Sequence, residues 1–350
     1  MKSTSTLLFI ISLCFHLTLS AQIGGRHAFG GASLPTHARA TAMGGSLINP
    51  LDSDVNLAQQ NPALADSIQH NQIAFNHNFH FAGISNGNVA YGRYLPKYKI
   101  TTHYALQYVS FGSFDQTDEV GTRNGEFSAG EIALLVGAAR QMNERIRLGV
   151  NFKVLSGNYE SYNNFGLGLD VGVHYQKNEN TSWALVLKNI GGELSPIVDD
   201  KRSLPLDLQI GFYKRLAHLP FRLSIIGHNL QEPYIRYDDP ETDITTDISG
   251  NQTFKSNFSK NLDNFFRHII VGGEFLIGKK EQVRLRFGYN HLLRQELKVT
   301  TFQSRGGFSM GFGFNIKRFR LDYGRGVYHL AGAVNHLSFR YQIGKLNNNI

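Results

Sequence analysis

Residues 145–176 read RIRLGVNFKVLSGNYESYNNFGLGLDVGVHYQ, and their spacing decides the fold. Ile146, Leu148, Val150, Phe152 and Val154 fall on one face, with Arg147, Gly149, Asn151 and Lys153 on the other. After a polar turn, Phe165, Leu167, Leu169, Val171, Val173 and Tyr175 alternate with Gly166, Gly168, Asp170, Gly172 and His174. A period of two is that of an extended strand, whose successive side chains point to opposite faces of a sheet. Each run is about ten residues, longer than a typical soluble strand and as long as a tilted strand needs to cross a bilayer. One such hairpin also suits a soluble β-sandwich, so the rest of the chain has to decide.

From residue 71 onward the pattern recurs in about fourteen segments, the tenth expected at 264–278. Short connections, such as Pro96–Lys99, Met142–Glu144 and Lys317, alternate with long ones at Gly112–Glu126, Gly191–Leu204, Leu230–Asp263 and Leu292–Arg305. That alternation fits a membrane barrel with tight periplasmic turns and larger external loops, and an even count returns both ends to one side. A sandwich has no reason to sort its loops by length. Lipid offers backbone N–H and C=O groups no partners, so the sheet must close on itself. Phe308, Met310, Phe312, Phe314 and Ile316 would face lipid, as would Leu337, Phe339, Tyr341 and Ile343.

The start of the chain fits the same compartment. Residues 1–21 carry Lys2, an apolar run from Leu7 to Leu19 and the small pair Ser20-Ala21, the pattern of a secretory signal. The single cysteine, Cys14, lies inside it, which excludes disulfides and thiol chemistry from the remainder. The formal charge of +8 would ordinarily suggest nucleic acid, but export makes that partner improbable. Residues 22–70 lack the two-residue period and read as a plug of short helices and turns, leaving 71–350 for the barrel. The expected class is therefore all-β: a transmembrane antiparallel β-barrel of about fourteen strands with an N-terminal plug, in the outer membrane of a Gram-negative bacterium.

The inward faces are polar and basic, with Arg222, Arg284, Arg286, Arg320 and Arg340 prominent. These arginines either line an anion-selective pore or pair with Asp170, Glu274, Asp322, Asp52, Asp54 and Asp66 to fix the plug; the presence of a plug segment favours pairing. Catalytic and metal signatures are absent. The histidines lack ligand spacing, and Asp52-Ser-Asp54-Val-Asn56 misses the glycine and glutamate of a calcium loop. No cofactor is implied. The loop containing Tyr234, Tyr237, Asp238, Asp239, Glu241 and Phe254 mixes aromatics with acids, as a protein-docking surface does, although a solvated loop at the barrel mouth has the same composition.

The plug region carries a recognisable pattern: Leu34-Pro35, Ala38-Arg39, Ala42-Met43-Gly44-Gly45, Asp54 and Asn61-Pro62-Ala63. With Gly125–Tyr175 it resembles the PorQ family, FadL-like outer-membrane proteins of the type IX secretion system of the Bacteroidetes. Gly30-Gly31-Ala32 departs from the pattern, where a bulkier residue is expected after the phenylalanine. The resemblance implies a plugged fourteen-stranded barrel and a non-enzymatic role: holding a PorZ-like surface subunit, beside PorU and PorV-like partners, in the complex that processes secreted cargo and attaches it to the cell surface. The alternative is a FadL-type transporter of hydrophobic small molecules, which needs an apolar lumen route. The Arg, Ser, Asn and Gly of the inward faces argue against such a route.

Overall fold

The computed structural model describes residues 27–197, 201–237, 244–246, 252–254, 256–278, 281–297, 305–329 and 332–344. The expected signal at 1–21 lies outside them. Sixteen strands are present among the described residues: β1 (Gln72–Phe79), β2 (Ser85–Leu95), β3 (Ile100–Thr117), β4 (Arg123–Gln141), β5 (Ile146–Tyr159), β6 (Tyr162–Asn178), β7 (Thr181–Ser195), β8 (Asp207–Arg215), β9 (Phe221–Gly227), β10 (Ile244–Thr246), β11 (Gln252–Phe254), β12 (Ile269–Ile277), β13 (Val283–Asn290), β14 (Phe308–Ile316), β15 (Phe319–His329) and β16 (Gly332–Gln342). Fourteen of them close a barrel, each paired with its neighbours in chain order, while β10 and β11 form a separate hairpin in the β9–β12 loop. Closure is made by antiparallel pairing of β1 with β16, from Gln72 opposite Gln342 to Phe79 opposite Asn335. Among the described residues no helix is long and apolar enough to cross a membrane.

The opening hairpin takes the register its pattern requires. Val150 lies opposite Val171 and Phe152 opposite Leu169 across β5 and β6, and all four side chains are exposed on the outer wall. Asn151 and Asp170 face inward and are fully buried. The rows Phe308–Ile316 and Leu337–Ile343 likewise point out. An apolar exterior around a polar, filled interior is the polarity of a protein whose outer solvent is hydrocarbon.

The short turns fall where expected. At 142–145 the Asn143 side chain accepts the N–H groups of Arg145 and Ile146, at 2.9 and 2.8 Å. Two long-loop expectations need correction. Gly112–Glu126 is mostly strand: β3 and β4 stay paired to Thr117 and Arg123, and the turn is only Asp118–Thr122, closed by N–H bonds to Asp118. β7 likewise runs on to Ser195. The apolar period fades where a strand leaves the lipid, so the pattern reports the membrane thickness and not the end of the hydrogen bonding. The third correction concerns 264–278, where a strand was expected throughout. A helix, Asn257–Arg267, comes first, with Ser256 capping the Ser259 N–H, and β12 begins only at Ile269. The long strands β3–β7 make one side of the barrel tall; opposite them, helices and loops stand above short strands.

Candidate functional site

Residues 27–71 fill the lumen as a hatch built from helix α1 (Ala38–Ala42), helix α2 (Leu57–Gln60) and three short 3-10 turns. Ala40, Met43, Leu47, Leu57 and Leu64 give it a small apolar core of its own. The remainder of its surface is polar, because it meets the inward face of the wall.

On one side that contact is ionic. Arg39 of α1 is fully buried and donates to Asp52 at 2.7 Å and to Glu274 of β12 at 3.1 Å. Register explains why Glu274 is central: it lies directly opposite Arg222 on β9 and Arg286 on β13. Both reach it, at 3.2 and 2.8 Å. Arg286 continues across β14 to Asp322 on β15, at 2.7 Å. It can do so because Gly313 stands between them, where a Cβ would overlap both the Asp322 carboxylate and the Arg286 guanidinium. Asp322 also holds Arg320 at 2.8 Å, and Asp54 of the hatch lies 3.8 Å from Arg320 and 3.7 Å from Arg340. Arg340 also donates to the Ser53 carbonyl. Arg284 and Arg222 share Glu281 at the short-turn rim.

Within the hatch, burial would push the Asp54 carboxyl up, but Arg340 and Arg320 hold it below the usual carboxylate range. The neighbouring His37 is pushed down to about 4 by burial and stays neutral, its Nε2 without a partner.

On the other side the contact is neutral. Asn88 of β2 accepts from Gln59 of α2 at 3.1 Å and from Asn76 of β1 at 2.8 Å. Asn76 also donates to Asn56, and Gln107 of β3 to Gln59, at 2.8 and 2.9 Å. Between the two sectors, Asn61 begins a 3-10 turn with Pro62 at its first position; its side chain accepts the Ala63 N–H at 3.0 Å and donates to the Ile48 carbonyl at 2.9 Å. This turn lies on β5 at Gly149, where any Cβ would overlap the Pro62 backbone.

All five lumen arginines named from sequence are therefore buried, and each meets a carboxylate. Two expected partners lie elsewhere: Asp170 pairs with Lys153 at 2.8 Å, and Asp66 with Arg147 at 2.6 Å. Arg39 was missed as the hub, because α1 is too short to show a helical period. Of the loop residues, Tyr234 and Tyr237 are exposed at the long-loop end. Asp238, Asp239 and Glu241 lie outside the described residues, and Phe254 is placed only as part of β11.

Above the hatch is a chamber of about 1100 Å³. Its floor is Gly44–Ser46 and Gln60, and its walls include Lys188, Gln209, His228, Ile270, Leu206 and Tyr328. The helix α4 (His291–Glu296) contributes Leu292 and Leu293, and Tyr234–Tyr237 lie at its mouth. Lys188 is nine-tenths buried and, among the described residues, forms no hydrogen bond or close ion pair, with Asp207 and Asp170 the charges that favour its ammonium.

Comparison with solved structures finds barrels of the same architecture. The toluene transporter TodX of P. putida matches with a TM-score of 0.51 at 11% identity, covering 89% of this chain and 100% of that one. A TodX variant described as a monoaromatic hydrocarbon channel, the deltaS2S3 mutant, gives 0.52 at 11% identity over 87% and 96%. A FadL homologue of Pseudomonas aeruginosa gives 0.48 at 11% identity over 88% and 98%. No protein-family profile matches the chain, and no curated protein does. At such identities the likeness shows the fold alone: a closed barrel like that of TodX, filled here by the chain's own N-terminal segment.

Proposed function

We propose that the chain is an outer-membrane conduit for small molecules, in which the chamber above the hatch receives the ligand. The observation that carries this reading is the chamber itself, lined by wall and loops, open at its mouth and floored by a hatch that belongs to the same chain. Its lining mixes Ile270, Leu206, Leu292 and Leu293 with Lys188, which forms no hydrogen bond or close ion pair among the described residues although Asp207, Glu232 and Glu296 also line the chamber. Such a site suits a ligand with an apolar body and one acidic group, since a buried ammonium is costly until an anion meets it. The fold shared with TodX supports a transport role, though the lumen at hatch level is filled and ion-paired. Passage therefore requires part of the hatch to shift. Calorimetric titration of the detergent-solubilised protein with decanoate tests the reading. Saturable binding, weakened about tenfold or more by Lys188→Met through loss of a charge-assisted contact, is expected. Decanoate binding that is absent, or unchanged in the variant, contradicts it.

A second reading rests on the resemblance to the PorQ family and on one observation: Arg39 and Asp54, which belong to that pattern, are the residues that lock the hatch. A permanently closed barrel suits a scaffold that holds a PorZ-like surface subunit, with PorU and PorV-like partners, in a type IX attachment complex. Tyr234 and Tyr237, exposed at the mouth, are the described part of the proposed docking loop. Affinity purification from outer membranes distinguishes the two readings. Release of a surface partner into the medium on deletion of the gene supports the scaffold; normal retention of that partner removes it.

A further inference from the structure

Helix α3 (Asn257–Arg267), on the β9–β12 loop, is mounted with its polarity reversed. Phe258, Leu262, Phe265 and Phe266 recur at the spacing of a single helical stripe, and all four are exposed, Phe258 at 78% and Phe265 at 59%. The opposite face holds the helix to the protein. Buried Asn264 accepts the N–H groups of Ile235 and Arg236, at 2.9 and 3.1 Å, and donates to the Pro233 carbonyl at 2.8 Å. Asp263 meets Arg236, Arg267 and His291 at 3.3, 2.9 and 3.1 Å. A surface helix in water buries its apolar stripe; here the polar stripe is the one anchored.

The apolar stripe is continuous with the lipid-facing wall. Phe265 contacts Phe266, Phe266 the His291 ring, His291 Tyr289, and Tyr289 Phe308, with successive ring centroids 5.6, 6.0, 5.9 and 5.0 Å apart. Tyr289 and Phe308 lie at the long-loop ends of the outward faces of β13 and β14, where barrel proteins carry their interfacial aromatic girdle. None of the four stripe residues lines the chamber.

We infer that α3 is an interfacial membrane helix whose Phe258–Phe266 stripe lies among the acyl chains of the outer leaflet, widening the barrel's lipid contact on its short-stranded side. The occupant is lipid because the stripe prolongs the lipid-facing wall without a break, and a short amphipathic helix in the interface plane buries such a stripe. The inference is independent of which ligand or partner the chamber serves.

Fluorescence of the full chain in vesicles tests this. In a Trp183→Phe background, Phe258→Trp and Leu262→Trp place the only indole on the stripe, and Val120→Trp places it on the β3–β4 turn, where Val120 is 86% exposed. In vesicles made with phospholipid brominated on the acyl chains, Phe258→Trp and Leu262→Trp are expected to emit to the blue and lose most of their intensity. Val120→Trp is expected to stay bright and to be quenched by aqueous iodide. The two stripe positions report independently, so one poorly folding variant leaves the other decisive. Iodide quenching of both stripe variants as strong as that of Val120→Trp, with no effect of brominated lipid, overturns the inference. It would then leave the stripe to a protein partner.

Discussion

The two sides of the hatch are attached by different physics. Toward β9, β12, β13, β15 and β16 the contact is a network of buried charges converging on Glu274, Asp322 and Asp54. Toward β1–β3 it is a ladder of asparagine and glutamine amides. A buried charge network gains little over an apolar core when complete, yet is costly to break, because the partner left behind is an uncompensated ion. An amide ladder loses one or two hydrogen bonds at a time and carries no net charge. The ionic sector should therefore act as a latch with a threshold, and the amide sector as a hinge that yields gradually.

Glu274→Ala gives the largest expected effect, since Arg39, Arg222 and Arg286 would face one another without their shared carboxylate. Loss of about 3–5 kcal/mol is expected, read as a lowered urea midpoint and faster proteolysis of the hatch in vesicles. Acidification should come next. The unfolded chain protonates His37 near pH 6.5, but burial holds the folded group to about 4. Stability thus falls as pH drops through that window. Asp54, held below the usual carboxylate range, adds a further loss only at more acidic pH, as it takes up its proton in the folded state. Hatch proteolysis followed from pH 7 to pH 4 should accelerate steadily. Asn88→Ala has the smallest expected effect, about 1–3 kcal/mol from orphaned amides, and little dependence on salt. A strong salt dependence in Asn88→Ala, or none in Glu274→Ala, would erase the distinction between the sectors.

The barrel was legible in the sequence because lipid and lumen impose opposite polarities on alternate residues; Val150, Phe152, Leu169 and Val171 announce their face by spacing alone. The five wall arginines were legible for the same reason. Their partners were not: the pairing of Glu274 with Arg222 and Arg286 depends on strand register, and its contact with Arg39 on how the hatch is seated. β3 and β4 extend beyond the membrane with no apolar signal to mark them. The helix at Asn257–Arg267 was read partly as strand because two adjacent phenylalanines beside β12 blur a period of 3.6 into a period of two. Its Ser256 cap and the Phe258–Leu262–Phe265 spacing were the available signals.

The central claim is that the lumen is shut by a hatch whose ionic side is the latch. Current through single protein molecules in a planar bilayer tests it most directly. The wild-type chain should carry no steady ionic current, and Glu274→Ala should produce opening events. A stable open conductance in the wild type, or a silent Glu274→Ala variant with its hatch loosened to protease, would contradict the account.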